Sequence, residues 1–451
     1  MGKIFGTDGI RCIVNTEPLT AETTLKISKT VGYLLKSKKS NNSRVIICKD
    51  TRLSGYLYEP LITAGFISMG MEVILVGPLP TPAVPHLMRT LRADIGVMIT
   101  ASHNTYEYNG IKFFNLDGFK ISSKLEKEIE NIVLNKKKYS KILNSNNKTG
   151  KAIRLEDASG RYSEFLKSTL NKNIKTKKLK IVLDCGNGAT YDIAPSIFWE
   201  LGHQVVSINN KPNGKNINYN CGAVNVGSLC KKVVEEKANI GFAFDGDGDR
   251  LIVVDDKGNE IDGDKIIALF AKYLTIGKKN TSKFPVISTV MSNLGLENFL
   301  LKELGIKLKR SPVGDINVIE EMKKNKSFLG GEQSGHIILS DFSKTGDGIL
   351  AALKITEIMS IIKKSSSSIF DLYDNLPQIK VNISYKKISE KTKKNIKDLN
   401  KKNSRDKKIR VLIRFSGTEP LIRLLVEGQD LKIVQQKAKN LELEIRNIIG
   451  Q

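Results

Sequence analysis

Between two apolar, β-prone runs, Ile240–Phe244 and Leu251–Asp255, the chain reads Asp245-Gly-Asp247-Gly-Asp249-Arg250. Flanks of that kind make the acidic stretch a loop joining two strands. Gly246 and Gly248 adopt whatever backbone angles the turn demands, so Asp245, Asp247 and Asp249 can face one point. Carboxylates so close repel one another, and a hard divalent cation with oxygen ligands removes that cost. An EF-hand calcium loop also opens Asp-x-Asp-x-Asp, but it needs glycine sixth, where this chain has Arg250. A strand–loop–strand unit holding one Mg²⁺ and offering Arg250 to an anion suits phosphoryl chemistry.

Alternating strand and helix patterns surround this loop and restart twice. The first unit has strands Val45–Cys48, Glu72–Val76 and Ile95–Ile99, a helix about Glu59–Met69, and a proline-rich turn at Pro78–Pro85. The second runs from strand Ile181–Asp184 through Val205–Ile208 to Ile240–Phe244, and the third from helix Lys265–Leu274 to helix Ile349–Ile362. A smaller unit follows, with strands Ile379–Ile383, Ile409–Ile413 and Leu421–Val426 and helix Leu431–Ile449. Linkers are expected at about Asn135–Lys151 and at Ser365–Ser368, giving domains 1–150, 151–255, 256–370 and 371–451. The expected fold is three similar α/β domains with mixed sheets plus a smaller C-terminal α+β domain, arranged around one central cleft.

Each unit carries one polar loop beyond the carboxyl end of a strand, where open α/β sheets keep their chemistry. Thr100-Ala-Ser-His-Asn104 follows the first, the three aspartates the second, Gly331-Glu-Gln-Ser-Gly-His336 the third, and Arg414-Phe-Ser-Gly-Thr-Glu-Pro420 the fourth. Glu332, Ser334 and His336 offer an acceptor, a hydroxyl and a titratable ring, the mixture that reads sugar hydroxyls. Arg414, Ser416, Gly417, Thr418 and the following Arg423 suit an anion cradle. Adjacent Ser102 and His103 would point apart, and no Gly-x-Ser-x-Gly elbow exists, so a serine-hydrolase reading fails. Gly186-x-Gly188 lacks the third glycine of a dinucleotide fingerprint, since Tyr191 stands there.

A net charge of +25 invites a nucleic-acid partner, but basic runs such as Lys136–Lys138 and Lys386–Lys408 lack interleaved aromatics for base stacking. Solvated lysine faces explain them better. Cys12, Cys48, Cys185, Cys221 and Cys230 show no Cys-x-x-Cys spacing, so free thiols in a reducing cytoplasm are expected instead of a disulfide framework or zinc knuckle. Met1–Gly6 has no apolar signal core, and no stretch approaches a membrane span.

These loops, taken in order, resemble those of the α-D-phosphohexomutases, and the resemblance spans essentially the whole chain. Thr100–Asn104 looks like the family's phosphoserine loop, Asp245–Arg250 its metal loop, Gly331–His336 its sugar loop and Arg414–Pro420 its phosphate loop. Phe5-Gly-Thr-Asp-Gly-Ile-Arg11 and Gln333 most resemble the bacterial branch that acts on glucosamine phosphates; glucose and mannose mutases usually carry Glu or Met at the latter position. The resemblance implies a phosphoserine at Ser102 that converts glucosamine 6-phosphate to glucosamine 1-phosphate through a bound bisphosphate, feeding UDP-N-acetylglucosamine synthesis. It implies Mg²⁺ on Ser102, Asp245, Asp247 and Asp249, a sugar bisphosphate activator, and Arg11, His103, Lys112 and Arg250 as surrounding cations. Lys112 would then do acid/base work, which needs a lowered pKa, and His336 would orient a sugar hydroxyl. The expected partner is a phosphosugar, with neither nucleic acid nor membrane, in a monomer or homodimer. Thr105, Tyr108, Ala223 and Ile316 depart from the family pattern, Ile316 removing a phosphate contact. The rival readings are a glucose or mannose phosphomutase and a basic nucleic-acid-binding protein on the same scaffold.

Overall fold

Short β-branched runs form the strands. In the computed structural model, which describes residues 4–6, 8–36, 43–143, 148–174, 177–274, 284–386, 388–403, 409–416 and 420–450, they assemble into four sheets. The first contains β1 (Ile10–Ile13), β2 (Arg44–Lys49), β3 (Glu72–Pro78), β4 (Ile95–Ile99), β5 (Tyr108–Phe114) and β6 (Ala152–Arg154), in the order β1-β5-β4-β2-β3-β6. The second contains β7 (Lys180–Asp184), β8 (Gln204–Ile208), β9 (Ile240–Phe244), β10 (Leu251–Asp255) and β11 (Glu260–Ile261), ordered β11-β10-β9-β7-β8. In the third, β12 (Val286–Thr289), β13 (Leu308–Ser311), β14 (Leu329–Gly331) and β15 (Ile337–Leu339) are ordered β13-β12-β14-β15. The fourth is an antiparallel sheet of β16 (Gln378–Ser384), β17 (Ile409–Phe415) and β18 (Leu421–Gly428), with β18 in the middle.

One construction recurs. In each of the first three sheets a parallel core ends in one antiparallel return strand: β4 into β5, β9 into β10, β14 into β15. The seryl, aspartate and sugar loops are the connections of those three hairpins, and the phosphate loop joins β17 to β18. All four polar loops therefore occupy the same topological position, which is stronger than the expected placement at strand ends. The first three units also share one continuous apolar core, running through Met98, Phe244 and Leu350, whereas the fourth has its own around Ile383, Val426 and Leu441.

Several expected elements differ. The proline-rich turn leads into a helix, Ala83–Leu91, because Pro85 falls in its first turn, where no intrahelical N–H donor is needed. The passage expected as a first linker holds helix Lys136–Leu143, packed on helix Ala21–Leu35. Ser365–Ser368 is not a linker either: the Ser365 hydroxyl accepts from Ser368 N–H and caps helix Ser366–Phe370. The first sheet runs on to β6 and the second to β11, a few residues past the expected ends at 150 and 255, because both strands pair with their own sheet.

Candidate active site

Ser102 is buried, with φ of 50°, a left-handed conformation uncommon for a residue with a Cβ. Its N–H donates to Thr100 Oγ1 at 2.9 Å and its hydroxyl donates to Asp245 Oδ2 at 2.7 Å. The serine of the first hairpin thus sits against the carboxylates of the second. Gly246 permits the approach, since a Cβ there would lie 2.6 Å from the Ser102 carbonyl oxygen.

Asp245, Asp247 and Asp249 each bring one oxygen into a group spanning no more than 4.8 Å, all buried. Among the described residues Oδ1 of Asp247 is buried without a hydrogen-bond partner, and Oδ1 of Asp249 faces only His336 Nδ1, at 3.6 Å. Three close carboxylates, one with an orphaned oxygen, beside a hydroxyl fit a divalent, oxygen-liganded cation. Burial and the charges of Asp249 and Asp247 push the Asp245 carboxyl well up, whereas Asp249 is held well down because Lys112 and His336 outweigh its burial. Thr81, just before the unexpected helix, steadies the loop by donating its hydroxyl to Asp247 Oδ2 at 2.6 Å.

Lys112 reaches into this group from β5. Its Nζ lies 2.9 Å from Asp247 Oδ2, 3.4 Å from Asp249 Oδ2 and 3.2 Å from Asp8 Oδ2. Burial opposes its charge, but the three aspartates prevail and raise its pKa well above the ordinary value. Acid/base work would need a lowered pKa; these neighbours instead keep Lys112 a cation, the other role expected of it. His103 Nδ1 stands 3.5 Å from Ser102 Oγ, and burial, then Arg250 and Arg11, bring its pKa down to about 3, so beside an unphosphorylated serine the ring is neutral. Arg250 donates its backbone N–H to Asp245 Oδ1 at 3.2 Å, and its Nε is 4.0 Å from Oδ2. Arg11 donates to Asn104 Oδ1 at 3.1 Å and to Asp8 Oδ2 at 3.0 Å, beside the seryl loop.

The sugar loop divides. Ser334 is exposed, and the Gly314 N–H donates to Glu332 Oε1 at 3.1 Å. Gln333 donates to Asp262 Oδ2 at 3.1 Å and accepts from Lys380 Nζ at 3.0 Å, so it connects the third unit to the fourth. His336 is buried behind the aspartate loop, where Nδ1 is 3.6 Å from Asp249 Oδ1 and Nε2 accepts from Gly346 N–H at 3.1 Å. Those contacts make it a support for Asp249. In the phosphate loop, Arg414 on β17 stands directly opposite Arg423 on β18, and Ser416 N–H donates to Leu421 O at 2.8 Å. Gly417 and Thr418 lie outside the described residues.

Sequence reasoning missed several groups. Lys120 bridges Asp8 and Asp315, joining the first unit to the third. Arg52 and Asn218 both donate to the carbonyls of Ser102 and Asn104. Nothing near Arg52 or Asn218 in the chain distinguishes them, because what they bind lies far away in sequence.

Four family descriptions match the chain in order: phosphoglucomutase/phosphomannomutase alpha/beta/alpha domain I over residues 2–140, domain II over 160–258, domain III over 262–378, and the C-terminal domain over 379–443. The phosphoglucosamine mutase of Parvibaculum lavamentivorans is 47% identical over 448 residues, covering 99% of each chain. That of Thermodesulfovibrio yellowstonii is 46% identical over 448 residues, covering 98% of each. A solved phosphoglucomutase/phosphomannomutase family protein from Burkholderia thailandensis shares the fold, with a TM-score of 0.81 at 22% identity over 99% of this chain and 97% of that one. The chain accordingly belongs to the α-D-phosphohexomutase family, in its phosphoglucosamine mutase branch.

Proposed function

We propose that this chain interconverts glucosamine 6-phosphate and glucosamine 1-phosphate by way of a phosphoserine at Ser102. The observation that carries the reading is the Ser102 hydroxyl donating to Asp245 at 2.7 Å, at the edge of a three-aspartate group with an orphaned oxygen. The substrate's free hydroxyl oxygen bonds to the seryl phosphorus as the P–Oγ bond breaks. Its proton leaves to a base, and Ser102 Oγ is released to regain one. The resulting bisphosphate turns over within the cleft and returns its 6-phosphoryl group to Ser102, leaving the 1-phosphate.

The residues divide the work by charge. Arg250 and Arg11 flank the seryl loop and steady the transferring group, while Arg414, Ser416, Gly417, Thr418 and Arg423 grip the phosphate that is not reacting. Asp245, Asp247 and Asp249, with the seryl phosphate, would hold one Mg²⁺. When bound, that ion withdraws charge from the phosphoryl and leaving oxygens. Glu332, Gln333 and Ser334 read the sugar, and a sugar bisphosphate serves as activator by restoring phosphate to Ser102. A cytoplasmic setting suits cysteines that form no disulfide.

The test is kcat/KM for glucosamine 1-phosphate, glucose 1-phosphate and mannose 1-phosphate, with Mg²⁺ and a sugar bisphosphate present. A clear preference for the amino sugar supports the reading. A preference for a neutral hexose keeps the phosphoserine mechanism and overturns the substrate.

A further inference from the structure

Two donors from different domains converge on the carbonyl groups of the seryl loop. Arg52, from the first domain, is fully buried; its Nη2 donates to Ser102 O at 3.1 Å and Asn104 O at 2.7 Å, and its Nη1 donates to Tyr108 O at 2.9 Å and to Thr105 O. Asp50 holds the guanidinium from behind, accepting from Nε at 2.8 Å, and Thr100 donates its hydroxyl to the same carboxylate at 2.6 Å. Asn218, from the second domain, sends its Nδ2 to the same two carbonyls, at 2.8 Å to Ser102 O and 2.9 Å to Asn104 O.

This arrangement answers a specific need. Ser102 sits at φ of 50°, and such a conformation persists only where the surroundings over-determine it. Four carbonyls drawn onto one planar guanidinium supply that constraint from below, with the fork geometry that only arginine offers. Asn218 supplies it from the side, and its position couples the loop to the metal group. A Cβ on Gly246 would lie 2.6 Å from Ser102 O and 2.7 Å from Asn218 Nδ2, so this amide is wedged where the seryl loop meets the aspartate loop. Moving it shifts Ser102 Oγ relative to Asp245, 2.7 Å away.

We infer that Arg52 and Asn218 form a two-domain clamp that positions the Ser102 oxygen for phosphoryl transfer, with Asn218 making that geometry depend on docking of the second domain. Both are positioning residues, since they act on backbone carbonyls and not on the reacting atoms. The inference rests on the phosphoserine reading of Ser102.

The experiment compares wild type with Asn218→Ala and Arg52→Lys, the latter keeping a buried charge beside Asp50 while removing the fork. Steady-state kinetics, thermal melting and single-turnover loss of phosphate from Ser102, followed by intact mass, are measured together. The clamp predicts kcat lower by about 100-fold, the scale set by small misplacements of reacting groups. KM for the sugar phosphate should stay nearly unchanged, and single-turnover transfer should slow in parallel with kcat. Asn218→Ala should melt below wild type, since it loses two buried hydrogen bonds and puts alanine at φ of 56°, so kcat is compared well below both melting temperatures. Wild-type kcat in both variants, or a loss confined to KM, overturns the clamp. A wild type that neither carries phosphate on Ser102 nor turns over any sugar phosphate overturns the phosphoserine reading instead.

Discussion

Lys112 Nζ lies 2.9 Å from Asp247 Oδ2, with both side chains buried, so a cation of the first domain is inserted into the carboxylate loop of the second. Removing it leaves Asp8, Asp247 and Asp249 with one fewer compensating charge in a buried place. Lys112→Met should therefore cost about 3–5 kcal/mol, the usual price of breaking a buried ion pair. Divalent cation should then recover more stability in the variant than in wild type, because it binds the folded state where carboxylates are least compensated. Melting with and without Mg²⁺ checks this. Equal Mg²⁺-induced shifts in the two proteins would show that Lys112 does not share the metal's electrostatic role.

Ser102 separates chemistry from backbone strain. Ser102→Ala and Ser102→Gly both lose the hydroxyl and should show no turnover. They should differ in stability, because alanine at φ of 50° bears a Cβ clash that glycine avoids. The glycine variant should be more stable than the alanine variant by about 1 kcal/mol. Denaturant melts of the pair decide it, and an alanine variant at least as stable as the glycine one would mean the left-handed backbone is not held in solution.

How much of this was legible in the chain depends on the distance over which each residue acts. The Asp245–Asp249 loop announced itself because its carboxylates, its glycines and its flanking strands are contiguous, and β9 and β10 fall where the apolar runs put them. The seryl and phosphate loops were legible for the same reason. Arg52 and Asn218 were not, because their partners are 50 and 116 residues away at Ser102. The charge state of His103 and the three aspartates around Lys112 were not legible, because neither burial nor charges contributed from far along the chain can be read from local sequence. Helix Ala83–Leu91 hid behind its prolines, and helix Ser366–Phe370 behind serines that cap it.

Stability should also carry a pH signature from Asp264. This side chain is buried in the third domain, with Oδ2 accepting from Asn293 N–H at 2.7 Å. Burial, then the charge of Asp262, raises its carboxyl pKa to about 7. Well below the ordinary carboxyl value both folded and unfolded chains hold the proton, and Asp264 contributes no pH dependence. Between that value and about 7 the folded protein keeps a proton that the unfolded chain gives up, so stability falls as pH rises. Above that window the cost is fully present. Asp264→Asn keeps an acceptor for Asn293 and removes the charge, so its advantage over wild type should grow from pH 5 to pH 8. Melting curves of the two proteins that stay parallel across this range would refute the shift.

Arg414 and Arg423 face each other across β17 and β18, an arrangement that costs stability in a sheet unless something anionic lies between or beside them. Burial and then Arg423 lower the Arg414 pKa, and Arg414 Nε is buried without a hydrogen-bond partner among the described residues. If Arg414 grips a phosphate as proposed, that anion supplies the buried Nε with its partner. Arg414→Ala should therefore leave the ligand-free melting temperature unchanged or slightly higher. Its KM for the sugar phosphate should rise by about 10- to 100-fold, corresponding to loss of a charge-assisted hydrogen bond worth roughly 1.5–3 kcal/mol. Stabilisation by added sugar phosphate should shrink in step, because thermal shift follows affinity for the folded state. Melting at a fixed sugar phosphate concentration, alongside steady-state kinetics, tests both halves. A variant that loses ligand-free stability but keeps its KM would assign Arg414 to the fourth domain's fold and remove it from the phosphate site.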